Sequence, residues 1–339
     1  SRSHNYVSKE VINVRENVGV TEVANFSKHE FRGPDARKFL DHIMAGKLPK
    51  PGRISLTPML TYRGKLYGDL TVACLDENEF MVFGSGAAQE MHRRWFESHL
   101  KKFNLQYKNR SDEFHGLSIA GPKSRDLLQK IVRENVSNDS FKFRDSRKMF
   151  VAGVPALVNR ISFTGELGYE IYVAPHFQLK LYEELTKAGK EFNIKPFGGR
   201  ALMSMRLEKN WGAWTLDYRP DFTAKETGLD VFINWNKDFI GKDCAQKDES
   251  KNKLVPLIVE TNDIDVTYNE AVLKGDKSIG YITSGGFAHF VNKSIAFSYV
   301  DQNELKSEKG IQVEINGDFF NCSIIKEPLY DPSGQKMRS

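Results

Sequence analysis

The chain has 339 residues, of which 40% are hydrophobic and 27% charged, and its formal net charge is +5. This length predicts about two domains, with a core large enough to need neither disulfides nor a structural metal. Three widely spaced cysteines, Cys74, Cys244 and Cys322, argue against a disulfide scaffold, a zinc finger or a cysteine-bound cluster. No apolar run approaches the ~18 residues of a membrane-spanning helix. The scattered basic residues do not predict nucleic-acid binding, and an anionic small molecule suits the mild positive charge equally well.

Two segments look like copies of one α/β unit. Residues 29–40 and 117–128 each combine a strand-like run, a Gly-Pro pair and an amphipathic helical pattern. Proline fits the first helical turn because the N–H that it lacks would have no partner there. The alternative is a common strand-to-helix turn that is used twice. Both interpretations predict an α+β fold.

The segments between and after these copies continue the same pattern. We predict a helix over residues 87–103 that turns Met91, Trp95, Leu100 and Phe103 towards the core, while His92 and His99 lie at the surface or an interface. Further strands are predicted over residues 64–75, 80–83, 149–158 and 160–173, and further helices over 177–188 and near 201–207.

From about residue 250 the pattern changes to short β-like runs separated by turn residues. These runs cover residues 253–260, 271–274, 278–283, 294–300, 312–315 and 318–325. They predict an all-β barrel or sandwich, joined to the first region by the charged hinge 242–253. The predicted domains are therefore residues 1–240 and 250–339.

Several common catalytic motifs are missing from the sequence. It contains no phosphate-binding loop, no His-Glu-x-x-His and no Gly-x-Ser-x-Gly. The histidines show no metal-ligand spacing, so we predict no metal site. The run Gly84-Ser-Gly-Ala-Ala-Gln89 follows a strand and opens a helix, where free N–H groups meet anions. Because Gln89 replaces the third glycine of a dinucleotide fingerprint, we favour a tight turn that approaches a ligand.

Two acidic residues interrupt strand-like patterns. Asp69 is either a carboxylate at an edge or turn, or one held in a cleft to attract a cationic centre or steer protonation. Glu170 follows a glycine-flanked bend and breaks an apolar strand. A carboxylate that enters a pocket can accept two adjacent N–H bonds, which suits an aminopyrimidine edge such as that of a pterin. A plain β-hairpin is an equally good interpretation of the second segment.

Several motifs, in the expected order, resemble the glycine-cleavage T-protein (aminomethyltransferase) superfamily. Thr164-Gly-Glu-Leu-Gly-Tyr-Glu170 resembles its Tyr-Thr-Gly-Glu-x-Gly-x-Glu signature, and matching runs occur at residues 64–72, 239–242, 283–286 and 293–296. The runs 206–220, 226–230 and 327–338 resemble the folate-binding C-terminal half of dimethylglycine and sarcosine dehydrogenases. The resemblance implies duplicated α/β units around one deep pocket, followed by a β-barrel.

The resemblance also implies roles for individual residues. Asp69 matches the catalytic carboxylate near the folate nitrogen and the incoming amine, and Glu170 matches the residue that binds the pterin ring. Phe163 replaces the family's tyrosine and keeps an aromatic surface. Leu202 replaces the T-protein arginine for the folate tail, and Arg200 is the candidate substitute. Further candidates for cofactor binding are Tyr67, Ser85 and Trp214.

The implied reaction moves a one-carbon unit from an N-methylated amine, as an iminium or formaldehyde equivalent, to tetrahydrofolate. The product is 5,10-methylenetetrahydrofolate. One alternative is a stand-alone S-, O- or N-demethylase that makes 5-methyltetrahydrofolate. The other is a folate-binding protein without catalysis.

The dehydrogenases that this chain resembles carry an FAD-binding half with its own Gly-x-Gly-x-x-Gly fingerprint. That fingerprint is missing here, so we expect no FAD in this chain. Its activated carbon would come from an FAD-dependent oxidoreductase domain or subunit, and Ser1 would mark a cut in a longer enzyme. We expect a cytoplasmic location, or the mitochondrial matrix in a eukaryote.

Overall fold

The secondary structure of the chain forms two open sheets and one closed barrel. A computed structural model describes residues 2–261, 264–306 and 309–339. The strands of the open sheets are β1 (Val18–Glu22), β2 (Ser27–Arg32), β3 (Arg53–Leu60), β4 (Leu66–Asp76), β5 (Glu79–Gly84), β6 (Gln106–Asn109), β7 (His115–Ala120), β8 (Ser146–Val151), β9 (Val154–Asn159), β10 (Gly168–Val173) and β11 (Ile194–Pro196). The barrel strands are β12 (Asn252–Val259), β13 (Ala271–Lys274), β14 (Lys277–Ala288), β15 (Lys293–Asp301), β16 (Ile311–Ile315) and β17 (Asp318–Ile324).

The helices lie mainly between the strands of the first region. They are α1 (Arg2–Glu16), α2 (Ala36–Ile43), α3 (Gln89–His99), α4 (Ser124–Ile131), α5 (Gln178–Gly189), α6 (Gly199–Glu208), α7 (Ala224–Thr227), α8 (Lys242–Gln246) and α9 (Gln335–Arg338). Among the described residues, no helix combines the length and the apolar character needed to cross a bilayer.

The first region is a four-layer arrangement in which two sheets face each other. One sheet has the order β11-β1-β7-β10-β9-β8, and the other has the order β3-β4-β5-β2-β6. Helices α4 and α5 cover the outer face of the first sheet, while α2 and α3 cover the outer face of the second. Between the inner faces, the rings of Phe83 and Tyr172 stack with centroids 4.8 Å apart. Each sheet thus has two covered faces.

The duplicated unit is visible in the backbone geometry. Strand β2 leads into α2 through Gly33, and β7 leads into α4 through Gly121, with φ values of 136° and 131°. Only glycine adopts such angles easily. At Gly121 a Cβ atom would also lie 2.4 Å from the carbonyl oxygen of Asn17. The prediction of an α+β fold with duplicated units is confirmed.

The C-terminal β-region closes completely. Its six strands pair in the order β12-β15-β14-β13-β16-β17 as a closed barrel, so the barrel alternative is correct and the sandwich alternative is wrong. Alternating apolar side chains fill the interior, including Leu257, Ile282 and Val313. Helix α6 of the first region packs against β14. The barrel therefore contacts α6, the helix that immediately precedes the loop of residues 211–218.

Two predicted elements are corrected by the structure. In α3 the fully buried residues are His92 and Phe96, one position along from the predicted Met91 and Trp95, so His92 is not at the surface. Its Nε2 atom lies 2.9 Å from the carbonyl oxygen of Tyr67, which satisfies a polar atom in the core.

The second correction is that residues 160–167 form a loop, whereas the sequence predicts a strand from residue 160. Inside the loop the Ser162 hydroxyl accepts a hydrogen bond from the backbone N–H of Thr164 at 3.2 Å, and the Thr164 hydroxyl accepts one from Glu166 at 3.2 Å. Such local bonds between side chains and backbone compete with strand pairing.

Candidate active site

The two predicted carboxylates lie on the facing inner surfaces of the two sheets. Asp69 belongs to β4 and, because side chains alternate along a strand, shares its face with Ala73. Glu170 belongs to β10 and shares its face with Tyr172. Ala73 and Tyr172 both belong to the apolar cluster that joins the sheets. The structure therefore brings Asp69 and Glu170 to the same inter-sheet space.

Burial changes the acidity of both groups. It raises the pKa of Asp69 from 3.8 to about 7 and the pKa of Glu170 from 4.5 to about 7. Both residues nevertheless retain partial exposure. A carboxyl that is poorly hydrated yet reachable from solvent is typical of the floor of a cleft. Near neutral pH each group exists in both protonation states, which is the condition for acid–base work.

The surroundings of Glu170 are polar and incompletely hydrogen-bonded. Tyr172 donates a hydrogen bond from its hydroxyl to Oε2 of Glu170 at 2.8 Å. The Lys28 ammonium, whose pKa burial lowers to about 8, lies 5.7 Å from the centre of the Tyr172 ring and attracts the Glu170 charge. On β9 the fully buried Asn159 stands in register with Glu170, and its Nδ2 atom has no hydrogen-bond partner in the described part of the chain.

These groups fit the ring of a folate. A pterin edge presents N–H donors beside a carbonyl oxygen. Glu170 offers the carboxylate oxygen that Tyr172 does not use, and Asn159 offers an N–H donor. An unpartnered buried donor is destabilising unless a ligand or water meets it. Glu170 and Asn159 are therefore the residues that would hold the pterin ring.

Aromatic side chains pack on the α3 side of the strand that carries Asp69. A β-bulge between β3 and β4 takes Tyr67 out of the strand alternation, and its ring packs 4.7 Å from that of Trp95 on α3. The ring of Trp214 lies 5.8 Å from His92 on the same helix. The structure thus brings the predicted residues Tyr67 and Trp214 into one aromatic cluster beside β4.

Tyr218 is a neighbour of Asp69 that the sequence does not reveal. It is 3% exposed, and its pKa is raised above the ordinary value first by burial and then by the charge of Asp69. Its hydroxyl oxygen accepts a hydrogen bond from the backbone N–H of Gly212 at 3.1 Å. Tyr218 therefore stays neutral and adds an apolar wall with one polar atom near the carboxyl of Asp69.

The remaining predicted residues lie at more exposed positions. Ser85 precedes a short 3-10 turn and is partly exposed, and Phe163 is partly exposed in the loop 160–167. Arg200 is exposed in the first turn of α6. Their binding roles stay predictions. Among the described residues no group of three or more His, Cys, Asp or Glu side chains is arranged to hold a metal ion.

Sequence reasoning missed several polar neighbours of the site. Tyr172 could have been found, because a residue two positions from Glu170 on a strand shares its face. Lys28, Asn159 and Tyr218 come from other strands or from a loop. No local pattern marks them as neighbours of a carboxyl.

The first glutamate of the Gly-Glu-x-Gly-x-Glu motif has a different environment from the second. Glu166 is 1% exposed and accepts a hydrogen bond from Nη1 of Arg15 at 2.9 Å. The hydroxyl of Tyr330, which follows the barrel, also donates to Glu166. Arg15 pairs in addition with Glu208 at 2.6 Å. This buried ion cluster joins α1, the motif loop, α6 and the segment after the barrel.

The raised pKa of Asp69 predicts a pH-dependent stability. The folded state holds the Asp69 proton more tightly than the unfolded state, so ionisation opposes folding as pH rises from about 4 to 7. Asp69→Asn removes this ionisation. The variant should match the parent chain near pH 4 and exceed its free energy of unfolding by roughly 2 to 4 kcal/mol at pH 8.

Denaturant titration at a series of pH values measures this difference. Asp76→Asn, an exposed change on the same strand, is the control and should show no such pH-dependent gain. A constant difference between Asp69→Asn and the parent from pH 4 to pH 8 would contradict the assignment of a buried, titrating Asp69.

The fold and the paired inner-face carboxyls define the class to which the chain belongs. The family model described as the GCVT N-terminal domain matches residues 1–237, and the glycine cleavage T-protein C-terminal barrel domain matches residues 252–331. The chain belongs to the glycine-cleavage T-protein family, as the sequence motifs predict.

Individual relatives refine this placement. The chain is 36% identical over 331 residues to mitochondrial dimethylglycine dehydrogenase of Homo sapiens, covering 95% of this chain and 38% of that protein. It is 28% identical to an aminomethyltransferase of Thermoanaerobacter pseudethanolicus, covering 95% and 89%. The chain thus spans less than half the length of the dehydrogenase, and these relatives are enzymes, in agreement with the predicted enzyme class.

A solved structure shows the same fold. The aminomethyltransferase T of the glycine cleavage system from Bartonella henselae superposes with a TM-score of 0.87 at 22% identity, covering 96% of this chain and 90% of that structure.

Proposed function

We propose that this chain transfers a one-carbon unit from an N-methylated amine, as its iminium or as formaldehyde, to tetrahydrofolate. The observation that supports this most directly is the pair Asp69 and Glu170 on facing sheets, each partly exposed and each with its pKa raised to about 7. One carboxyl is suited to hold the ring of the acceptor and the other to act on the reacting carbon.

Asp69 performs the chemical role in this proposal. As a carboxylate it stabilises a cationic iminium, and in its protonated form it returns a proton to the departing amine. When bound, tetrahydrofolate supplies the nucleophilic nitrogens that accept the carbon. The buried Tyr218 near Asp69 excludes water on one side of this carboxyl and so strengthens its interaction with a cation.

The donor side of the proposal rests on family relations. Dimethylglycine dehydrogenase is a relative at 36% identity that is much longer than this chain. We infer that an FAD-dependent oxidoreductase domain or subunit oxidises the methylated amine and delivers the iminium. This chain then carries out only the transfer. The product is 5,10-methylenetetrahydrofolate, since the carbon arrives at the oxidation level of formaldehyde.

The binding half of the proposal is tested by Glu170→Gln. This change removes the charge and one acceptor from the pterin site, so the dissociation constant of tetrahydrofolate should rise about 10- to 100-fold, as for loss of a charged hydrogen bond. Isothermal titration calorimetry measures it. The control is Glu314→Gln on barrel strand β16, and this variant should bind tetrahydrofolate as tightly as the parent chain. Equal affinity of Glu170→Gln and the parent would refute the assigned pterin site.

Product analysis distinguishes the proposed transfer from the two alternatives, a demethylase and a folate-binding protein without catalysis. Incubation with tetrahydrofolate and formaldehyde, and with dimethylglycine or sarcosine plus an oxidising flavoprotein, should yield methylenetetrahydrofolate faster than the same mixture without this chain. A methyltetrahydrofolate product from an unoxidised donor would instead establish a demethylase. Binding of tetrahydrofolate with no rate above that of the mixture without this chain would establish a folate-binding protein.

A further inference from the structure

The loop formed by residues 211–218 closes around its own buried carboxylate, Asp217. Oδ2 of Asp217 accepts a hydrogen bond from the backbone N–H of Ala213 at 2.9 Å and one from Nη1 of Arg206 at 2.7 Å. The same guanidinium nitrogen donates to the carbonyl oxygen of Trp211 at 3.0 Å. Asp217 is 0% exposed. The carboxylate therefore holds the loop to the C-terminal end of α6.

The second oxygen of this carboxylate is bound by the barrel. Oδ1 of Asp217 accepts hydrogen bonds from the hydroxyls of Thr283 and Ser284 on β14, the latter at 2.7 Å. Tyr299 on β15 donates to the backbone oxygen of Asp217 at 2.8 Å. Nη2 of Arg206 also donates to Ser284 at 2.8 Å. All four side chains are buried, so the loop and the barrel share one dry polar network.

The loop connects this network to the candidate active site through Tyr218, which follows Asp217 and whose hydroxyl feels the charge of Asp69. Trp214 of the same loop packs against α3, with its ring 5.8 Å from that of His92. The loop does not adopt a relaxed local conformation, because Thr215 has a φ of 71°. A β-branched residue at such an angle is strained, and external contacts must hold it there.

We propose that Asp217 is a positioning residue through which Thr283 and Ser284 of the C-terminal barrel hold Tyr218 beside Asp69. This inference rests on the proposed function for its consequence in catalysis, but the contact itself is a property of the free protein. The barrel then has a defined task in the reaction: it keeps water away from the carboxyl that meets the iminium. Asp217 itself does not touch the reacting atoms.

The test removes the hydrogen bonds that the barrel donates to Asp217. In the double variant Thr283→Val with Ser284→Ala, Oδ1 of Asp217 loses both hydroxyl donors while the loop sequence stays intact. Water should then reach Asp69. Because desolvation is what raises its pKa, the titration midpoint of Asp69 should fall by about one pH unit or more. Infrared difference spectroscopy of the protonated carboxyl, with Asp69→Asn as the reference, reads this midpoint without any substrate.

The infrared titration can be attributed to Asp69 because of how the other titratable groups behave. Tyr218 on the loop has a raised pKa, and on the α3 side of the same sheet the pKa of Tyr67 is raised and that of His92 is lowered to about 4, so none of them changes charge near pH 7. Glu170 on the facing sheet also titrates near 7, and subtraction of the Asp69→Asn spectrum removes its band.

Two further variants keep the test decisive. Ser298→Ala removes another buried barrel hydroxyl, which donates to the carbonyl oxygen of Val255 at 3.2 Å and does not contact the loop. It should lower stability without moving the Asp69 midpoint. Thr283→Ser with Ser284 intact should restore the parent midpoint. An unchanged midpoint in the double variant, or the same displacement in Ser298→Ala, would overturn the proposal.

Enzyme kinetics provides a second, independent test of the positioning role of Asp217. The double variant should show a lower kcat, and its pH–rate midpoint should move with the infrared midpoint, while the KM for tetrahydrofolate stays near that of the parent. A purely structural defect would scale activity equally at all pH values. If the parent chain shows no turnover, the proposed function fails, and the infrared result still decides whether the barrel positions the loop.

Discussion

Replacement of Asp69 by asparagine should lower turnover by about 10²- to 10⁴-fold, the usual contribution of a positioned acid–base group. Asparagine keeps the size and one acceptor but can neither carry a negative charge beside an iminium nor exchange a proton. Tetrahydrofolate affinity should change little, because the proposed pterin contacts, Glu170 and Asn159, lie on the other sheet. Single-turnover kinetics with tetrahydrofolate and formaldehyde, paired with calorimetry, separates the two effects.

The pH profile of the parent chain supplies the companion measurement. Asp69 has its pKa raised to about 7, and the carboxylate is the form that stabilises a cation, so kcat should fall as pH drops below about 7. In Asp69→Asn the residual rate should lose this dependence. Unchanged turnover in the variant, or a parent rate that is flat between pH 5 and 9, would show that Asp69 has no catalytic role.

Removal of Arg15 should cause a large loss of stability. Arg15→Met deletes the shared cation of Glu166 and Glu208, which are both almost completely buried. The two carboxyls would then be dry and unpaired. The cost of breaking such a buried pair is about 3 to 5 kcal/mol. Because burial raises the pKa of Glu208, protonation of this carboxyl should make the loss of unfolding free energy smaller at pH 5 than at pH 8.

The matched control is Arg93→Met on α3. Arg93 also pairs with two carboxylates, Glu90 at 2.8 Å and Glu97 at 2.6 Å, but on a solvated helix face. Exposed pairs of this kind contribute about 0 to 1 kcal/mol each. Equal losses in both variants, measured by denaturant titration, would refute the buried-cluster assignment. Met337 and the other residues after the barrel should become protease-sensitive only in Arg15→Met, because Tyr330 loses its guanidinium neighbour at 3.7 Å.

The fold could be predicted largely from local patterns. Alternation of apolar residues marks β4, and the Gly-Pro turns at Gly33 and Gly121 mark the repeated strand-to-helix unit. The short runs after residue 250 correspond closely to the barrel strands. These features can be predicted from the sequence because strand alternation and turn chemistry depend on neighbours a few residues apart. The start of β10 was predicted too early, because the polar loop before it has a strand-like composition.

The sequence by itself determined which two acids interrupt strand patterns, Asp69 and Glu170, and that an all-β region follows the first region. Only the tertiary structure decided that the two acids lie on facing sheet surfaces, that Glu166 serves a buried ion cluster, and that Asp217 meets Thr283 across 66 residues of chain. The physical reason is that hydration and charge pairing depend on the segments that pack around a group. A pattern along one strand records which face a side chain occupies, but not what lies opposite it.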